Sequence, residues 1–162
     1  MKATHLLERC RAADDEIERL RISVRQKRAL ATSISAPPGD PNGGGRGSGD
    51  HDKIGRLAAD IADLEERIAL REQEKSVEIA AASVLMDRLP GLESKILYGY
   101  YLRGESTGAI SRRLKYQPNY VRRKKREAER MLEQLEPCEV ALALPRWYLK
   151  RHDGKEVDQD ER

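Results

Sequence analysis

Gln117, Asn119, Arg122, Arg123 and Arg126 fall within a single ten-residue stretch and are the side-chain types that read nucleobase edges. An arginine fork matches guanine O6 and N7, and an asparagine or glutamine amide matches adenine N6 and N7. The surrounding segment, "GAISRRLKYQPNYVRRKKREAER" (108–130), holds nine Lys or Arg against two Glu, a local excess of seven, whereas the whole chain carries only +3. The remainder is therefore slightly acidic, and such asymmetry points to a polyanionic partner more strongly than a uniformly basic chain would. Ser106, Thr107, Arg112, Arg113, Tyr120, Lys125 and Arg130 flank the reading residues with hydroxyls and cations. These are the groups expected to hold DNA backbone phosphates.

Such residues act together only if a rigid scaffold presents them. Leu92, Ile96, Leu97 and Tyr101 give a first short helix its apolar stripe, and Arg103-Gly104 closes it. Ser106 or Thr107 caps a second helix with Ile110, the small Ser111 and Leu114 inside. After a turn at Lys115-Tyr116-Gln117, Pro118 opens a third, because proline is favoured where the helix has no use for its N–H. The apolar positions Ile110, Leu114, Tyr116 and Val121 match a helix-turn-helix. With Val121, the stem of Lys124, Ala128, Leu132 and Leu135 facing inward, Asn119, Arg122, Arg123 and Arg126 project outward from the helix that enters the major groove.

Upstream, Leu6, Cys10, Ala13, Ile17, Leu20 and Val24 alternate at spacings of four and three, as do Ile54, Leu57, Ile61, Leu64 and Ile68. That is the heptad seam of a coiled coil. The Pro- and Gly-rich "SAPPGDPNGGGRGSGDHD" between them continues neither helix and reads as a linker long enough to close an antiparallel hairpin. The expected organisation is a first coiled-coil helix over 1–31, a linker over 32–51, a second helix over 52–89, a helix-turn-helix over 90–136 and a partly disordered tail over 137–162. At 1.5 Å per residue the second helix would run about 57 Å against about 40 Å for the first. Its surplus apolar surface, Val77, Ile79, Ala81, Val84, Leu85 and Leu89, should then pack on whatever follows Pro90. In the tail, Val140, Leu142, Leu144, Trp147 and Tyr148 fit either packing back on the helices or docking a partner.

An enzyme is not expected. Cys10 and Cys138 are far apart, His5, His51 and His152 are scattered, and no nucleophile–base pair or metal-ligand spacing occurs. Asp14, Asp15, Asp60, Asp63, Glu65 and Glu66 read as solvated coiled-coil flanks, and "GGGRGSGD" lacks the phosphate-loop pattern. No cofactor or metal is expected. No apolar run approaches the roughly 20 residues of a membrane span, and charges interrupt any signal-peptide core, so a cytoplasmic location is the expectation.

The segment "ILYGYYLRGESTGAISRRLKYQPNYVRRKKREAERML" resembles region four of bacterial sigma factors, in the version found in phage and prophage transcriptional regulators of the autolysin-regulator type. The family's upstream layout, a helix, "TSI", a Gly/Pro-rich loop and "DKIG", is similar to Thr32-Ser33-Ile34 and Asp52-Lys53-Ile54-Gly55 here. The resemblance covers about residues 5 to 135. It implies an all-α, sequence-specific regulator that binds double-stranded DNA, with base contacts on Asn119, Arg122 and Arg123. RNA polymerase and a second copy joined through the coiled-coil helices are the further partners considered. The chain departs from the family pattern at Gln117, where a Ser or Thr cap is preferred, at Lys124, where an apolar residue stands, and at Gly99, where a larger apolar residue is usual. The alternatives are a DNA-packaging recognition subunit of a phage terminase and a coiled-coil adaptor that binds protein only.

Overall fold

The computed structural model describes residues 2–35 and 50–153. Every regular element among them is helical: α1 (Ala3–Ser35), α2 (Asp50–Met86), α3 (Gly91–Leu97), α4 (Thr107–Leu114), α5 (Pro118–Glu133), α6 (Pro137–Leu142) and α7 (Arg146–Asp153). A π-helical turn, Tyr98–Leu102, follows α3 directly. The architecture is all-α, a long antiparallel helical hairpin followed by a helix-turn-helix. Helix occupies both ends of the anticipated linker, through Ser35 and from Asp50. The rest of that linker, 36–49, and the end of the tail, 154–162, lie outside the described residues. The chain forms two compact units, Asp15–Glu72 and Met1–Asp14 with Gln73–Arg162.

Within Asp15–Glu72, α1 and α2 run antiparallel and are laced by ion pairs. Glu16 meets Arg71 at 2.6 Å, Arg21 meets Glu72 at 2.6 Å, and Lys27 and Arg28 meet Asp60 and Glu65 at 2.5 Å. Ile17 and Val24 are buried and Leu20 is half-buried, while Ile54, Leu57, Ile61, Leu64 and Ile68 are all half-buried. Two helices alone shield each seam from one side only, so the correct face turns inward without becoming dry. Pairs this exposed contribute about 0–1 kcal/mol each. Their complementary order fixes the register.

The second unit holds the dry core. Here α1 begins at Ala3, inside the expected span of 1–31, and runs past it to Ser35. Contrary to the expectation that the first helix leaves the end of the second uncovered, its first turns cover the apolar end of α2: Ala3, Leu6, Leu7 and Cys10 pack with Ala81, Ala82, Leu85 and Met86. The expected surplus of the second helix is thus shared between α1 and the later helices, and Val84 remains exposed. The helix ends at Met86, three residues before Leu89, in a tight turn where the Arg88 and Leu89 amides donate to the Leu85 and Met86 carbonyls. Leu97, Tyr101, Ala128 and Leu132 complete the same cluster from α3, the π-turn and α5.

The tail packs back. Pro137 opens α6, where Glu136 and Glu139 form a reciprocal capping box, and Val140, Leu144 and Tyr148 are buried in the core. The Tyr148 hydroxyl donates to Glu78 Oε1 at 2.6 Å, and Arg9 Nε reaches the same oxygen at 2.7 Å. Glu78 is fully buried, and a buried carboxylate persists only with such partners. Beside it Glu74 lies 3.2 Å from Arg151 and 3.4 Å from His152 Nε2. Burial and, after it, the Arg9 charge hold His152 below the usual imidazole range, against the pull of Glu74.

Tyr148→Phe should cost about 1.5–3 kcal/mol through the lost hydrogen bond to the Glu78 carboxylate, and Tyr148→Ala about 3–5 kcal/mol through the cavity as well. Urea unfolding followed by circular dichroism checks both values. Because the folded pKa of His152 is depressed, the unfolded chain takes up that proton first as pH falls through about 6.5. Stability measured between pH 7.5 and 5.5 should therefore fall less in His152→Gln than in the wild type.

Candidate nucleic-acid interface

The geometry that presents the basic segment starts before it. Gly104 adopts a left-handed conformation, φ 65°, that ends the π-turn, and Ser106 then caps α4, its Oγ accepting the Ala109 amide at 3.2 Å. Lys115 takes the left-handed conformation at the end of α4, φ 59°. The Tyr116 amide donates to the Ser111 carbonyl at 3.1 Å, and Ser111 Oγ donates to the Tyr116 carbonyl at 2.5 Å. The small buried serine therefore ties both edges of the turn. Gln117 is the extended N-cap of α5 with no side-chain cap bond, and Pro118 follows. Ile96, Ile110 and Val121 form a common core that fixes α3, α4 and α5 against one another.

This scaffold sorts the side chains by face. Val121, Ala128 and Leu132 are buried, Lys124 and Leu135 are half-buried, and Gln117, Asn119, Arg122, Arg123 and Arg126 are all exposed. Ser106, Arg112, Arg113 and Arg130 are exposed too, and Thr107, Tyr120 and Lys125 are half-buried. Tyr116 departs from the expected core position. It is 45% exposed and stacks on Tyr120 with ring centres 5.2 Å apart, because the turn directs it away from the Ile110–Val121 contact. The Arg123 guanidinium lies 5.2 Å from the Tyr120 ring, extending the stack. Arg122 donates to Asn119 Oδ1 at 3.3 Å.

The cations divide into two sets. Lys124 Nζ pairs with Glu93 on α3 at 2.9 Å and with Glu127 at 2.8 Å, Arg123 approaches Glu127 at 3.7 Å, and Arg113 pairs with Glu105 at 2.9 Å. The hydrogen bonds that Lys124 donates to Glu127 and Glu93 push its pKa up, and the first of them holds the Glu127 carboxyl down. Lys125 Nζ meets Glu129 at 2.5 Å, beside the Tyr101 hydroxyl on the same oxygen, and sits 4.1 Å from the Tyr100 ring centre. Burial, then Glu129, pushes the Tyr101 phenol up. Among the described residues Arg112, Lys115, Arg122, Arg126 and Arg130 have no carboxylate within ion-pair reach. These five cations thus face outward outside any ion pair among the described residues.

Sequence patterns missed Glu93, Tyr100, Glu105 and Glu129, which position this surface. Glu93 is 6% exposed, and its pair with Lys124 occupies the place of an apolar contact. At Gly99 the reason for the small residue is steric: an added Cβ would lie 2.6 Å from Arg113 Nη2, 2.9 Å from Glu105 Oε2 and 3.2 Å from Ile110 Cγ1. The missing side chain leaves room for the Arg113–Glu105 pair, while the Gly99 carbonyl accepts the Glu105 amide at 2.9 Å. The Lys124–Glu93 and Arg113–Glu105 pairings join different elements, so no helical spacing announces them.

Lys124→Met should lower the melting temperature by stranding Glu93, and Glu93→Met with Lys124→Met should recover most of the loss, since an apolar pair can replace an ion pair but a lone buried carboxylate cannot. Thermal melts of the two singles and the double check the pairing; a double variant no more stable than Lys124→Met would refute it. Comparisons of the chain with protein-family models, with curated proteins and with solved structures find no match.

Proposed function

We propose that the chain is a sequence-specific double-stranded DNA-binding transcription regulator of phage or prophage genes, working beside RNA polymerase. The observation that carries the DNA-binding reading is the outward face of α5. It follows a left-handed turn at Lys115 and presents exposed Gln117, Asn119, Arg122, Arg123 and Arg126, of which Arg122 and Arg126 form no ion pair among the described residues. A helix held this way has the shape and charge to enter a major groove, with arginine and asparagine placed to read guanine and adenine. Support for a phage regulator comes from the resemblance of residues 5 to 135 to the sigma-like autolysin-regulator layout.

Partner contact has a separate support. The basic residues are concentrated in one module, whereas the long α1–α2 pair carries both signs in matched pairs, a surface suited to protein rather than to phosphate. A single reading helix binds weakly by itself, and a second contact raises the effective concentration of the first. RNA polymerase or a second copy of the chain fits that role.

Fluorescence anisotropy with a mixed-sequence duplex should show affinity falling steeply with salt, at a slope of roughly 0.9 per phosphate contacted. No binding at low salt would leave the protein-only adaptor as the better reading. In transcription from a phage promoter with purified host polymerase, the full chain should act more strongly than residues 90–136; binding without any effect on transcription would favour the packaging subunit.

A further inference from the structure

Arg122 and Arg126 stand one helical turn apart on α5, and together with Lys125 they line an open cleft of about 200 Å³ whose other walls are Thr107 and Tyr100. No carboxylate lines it. The cleft is smaller than the roughly 300–1,000 Å³ of a drug-sized ligand site, yet it holds several times the roughly 30 Å³ share of one water. Thr107 is the first residue of α4. Ser106 Oγ serves the Ala109 amide, so the first-turn amides of Thr107 and Gly108 stay at the positive end of that helix with no intrahelical acceptor. A neighbouring cleft shares Tyr100 and Lys125 but is lined by Glu8, Glu129 and Glu133 as well as Arg11. Those carboxylates repel an anion from that side and leave the first cleft as the anion-accepting one.

From this convergence we infer that Arg122, Arg126 and Thr107 form a clamp for one phosphate group of the DNA backbone. The inference rests on the DNA-binding reading and deepens it. Two arginine forks and a hydroxyl match the oxygens of a phosphodiester, which arginine grips in a bidentate manner. Lys125 adds charge from the wall while its ammonium stays paired with Glu129. The chemical consequence is a division of labour along α5. Arg122 and Arg126, whose types alone fit base edges, set the register of the helix on the duplex, and Gln117, Asn119 and Arg123 are left to read sequence.

The test is a double-mutant cycle on the full chain with a mixed-sequence duplex. Arg126→Gln and Arg122→Gln should each weaken binding about ten- to a hundredfold, as expected for losing a charge-assisted hydrogen-bond partner, and Thr107→Val should weaken it several-fold with no change of charge. Because all three serve one phosphate, Thr107→Val in the Arg126→Gln background should cost clearly less than it does alone, whereas its cost in an Arg130→Gln background should be undiminished. Strictly multiplicative losses for Thr107 and Arg126, or wild-type affinity in Thr107→Val, would overturn the clamp while leaving DNA binding intact. If the wild type binds no duplex at low salt, the DNA reading falls and the cleft is judged with inorganic phosphate alone. Saturable NMR shifts confined to the Thr107 amide and the Arg122 and Arg126 side chains would then keep a phosphate site, and their absence would remove it.

Discussion

A carboxylate with no access to water has to be met by donors, and Glu78 imposes that demand at the centre of the larger unit. It recruits Arg9 from α1 and Tyr148 from α7, so the beginning and the end of the described chain are bound to the same point on α2. Leu6, Leu7, Leu85, Met86 and Val140 close around that point. Apolar burial supplies most of the stability in such a core, but it is tolerant of register. A buried ionic contact is not, because shifting α1 by one turn would carry Arg9 away from Glu78 and put His5 or Ala13 in its place. This is the specificity role that buried polar groups have in some helical assemblies, and here it links the start of α1, the end of α2 and α7.

The basic helix poses the opposite electrostatic problem. Five consecutive cations, Arg122 to Arg126, repel one another, and the fold handles them according to the face they occupy. Those turned toward the protein meet Glu93, Glu127 or Glu129, whereas Arg122 and Arg126 are left toward solvent. The result concentrates uncompensated charge on one side of α5 and anchors the other, so that side chains on the exposed face need little rearrangement on meeting a polyanion. Less ordering on association means that more of the interaction is retained as affinity.

The heptad spacing of Leu6 to Val24 and Ile54 to Ile68 made the hairpin legible, and the Ser106, Pro118 and Gly104 signals placed the ends of the short helices. Periodicity and capping are local, and local rules can be read from one chain. The contact of Ala3 and Leu7 with the end of α2 was less visible, because both lie beside the heptad seam instead of continuing it. The role of Gly99 depends on Arg113 and Glu105 meeting above it, and the exposure of Tyr116 depends on the direction of a turn. Likewise, Glu93 is an ordinary acidic residue of a helix's first turn until Lys124 arrives from another helix. The clamp on α5 also belongs to this class, since residue type made Arg122 and Arg126 readers of bases and only the juxtaposition with Thr107 and Tyr100 gives them a shared cleft.

The docking of α7 has a practical optical consequence. Trp147 is the only tryptophan in the chain, it is 39% exposed, and its ring meets that of the fully buried Tyr148 edge-on, with centres 5.9 Å apart. Excitation selective for indole therefore reports on a single helix. Release of α7 would carry the fluorophore into water together with its tyrosine neighbour and shift its emission to the red, while α4 and α5, which contain no indole, would stay silent. The chain carries its own label for the state of its C-terminal latch, in a channel optically separate from the tyrosines of the basic surface.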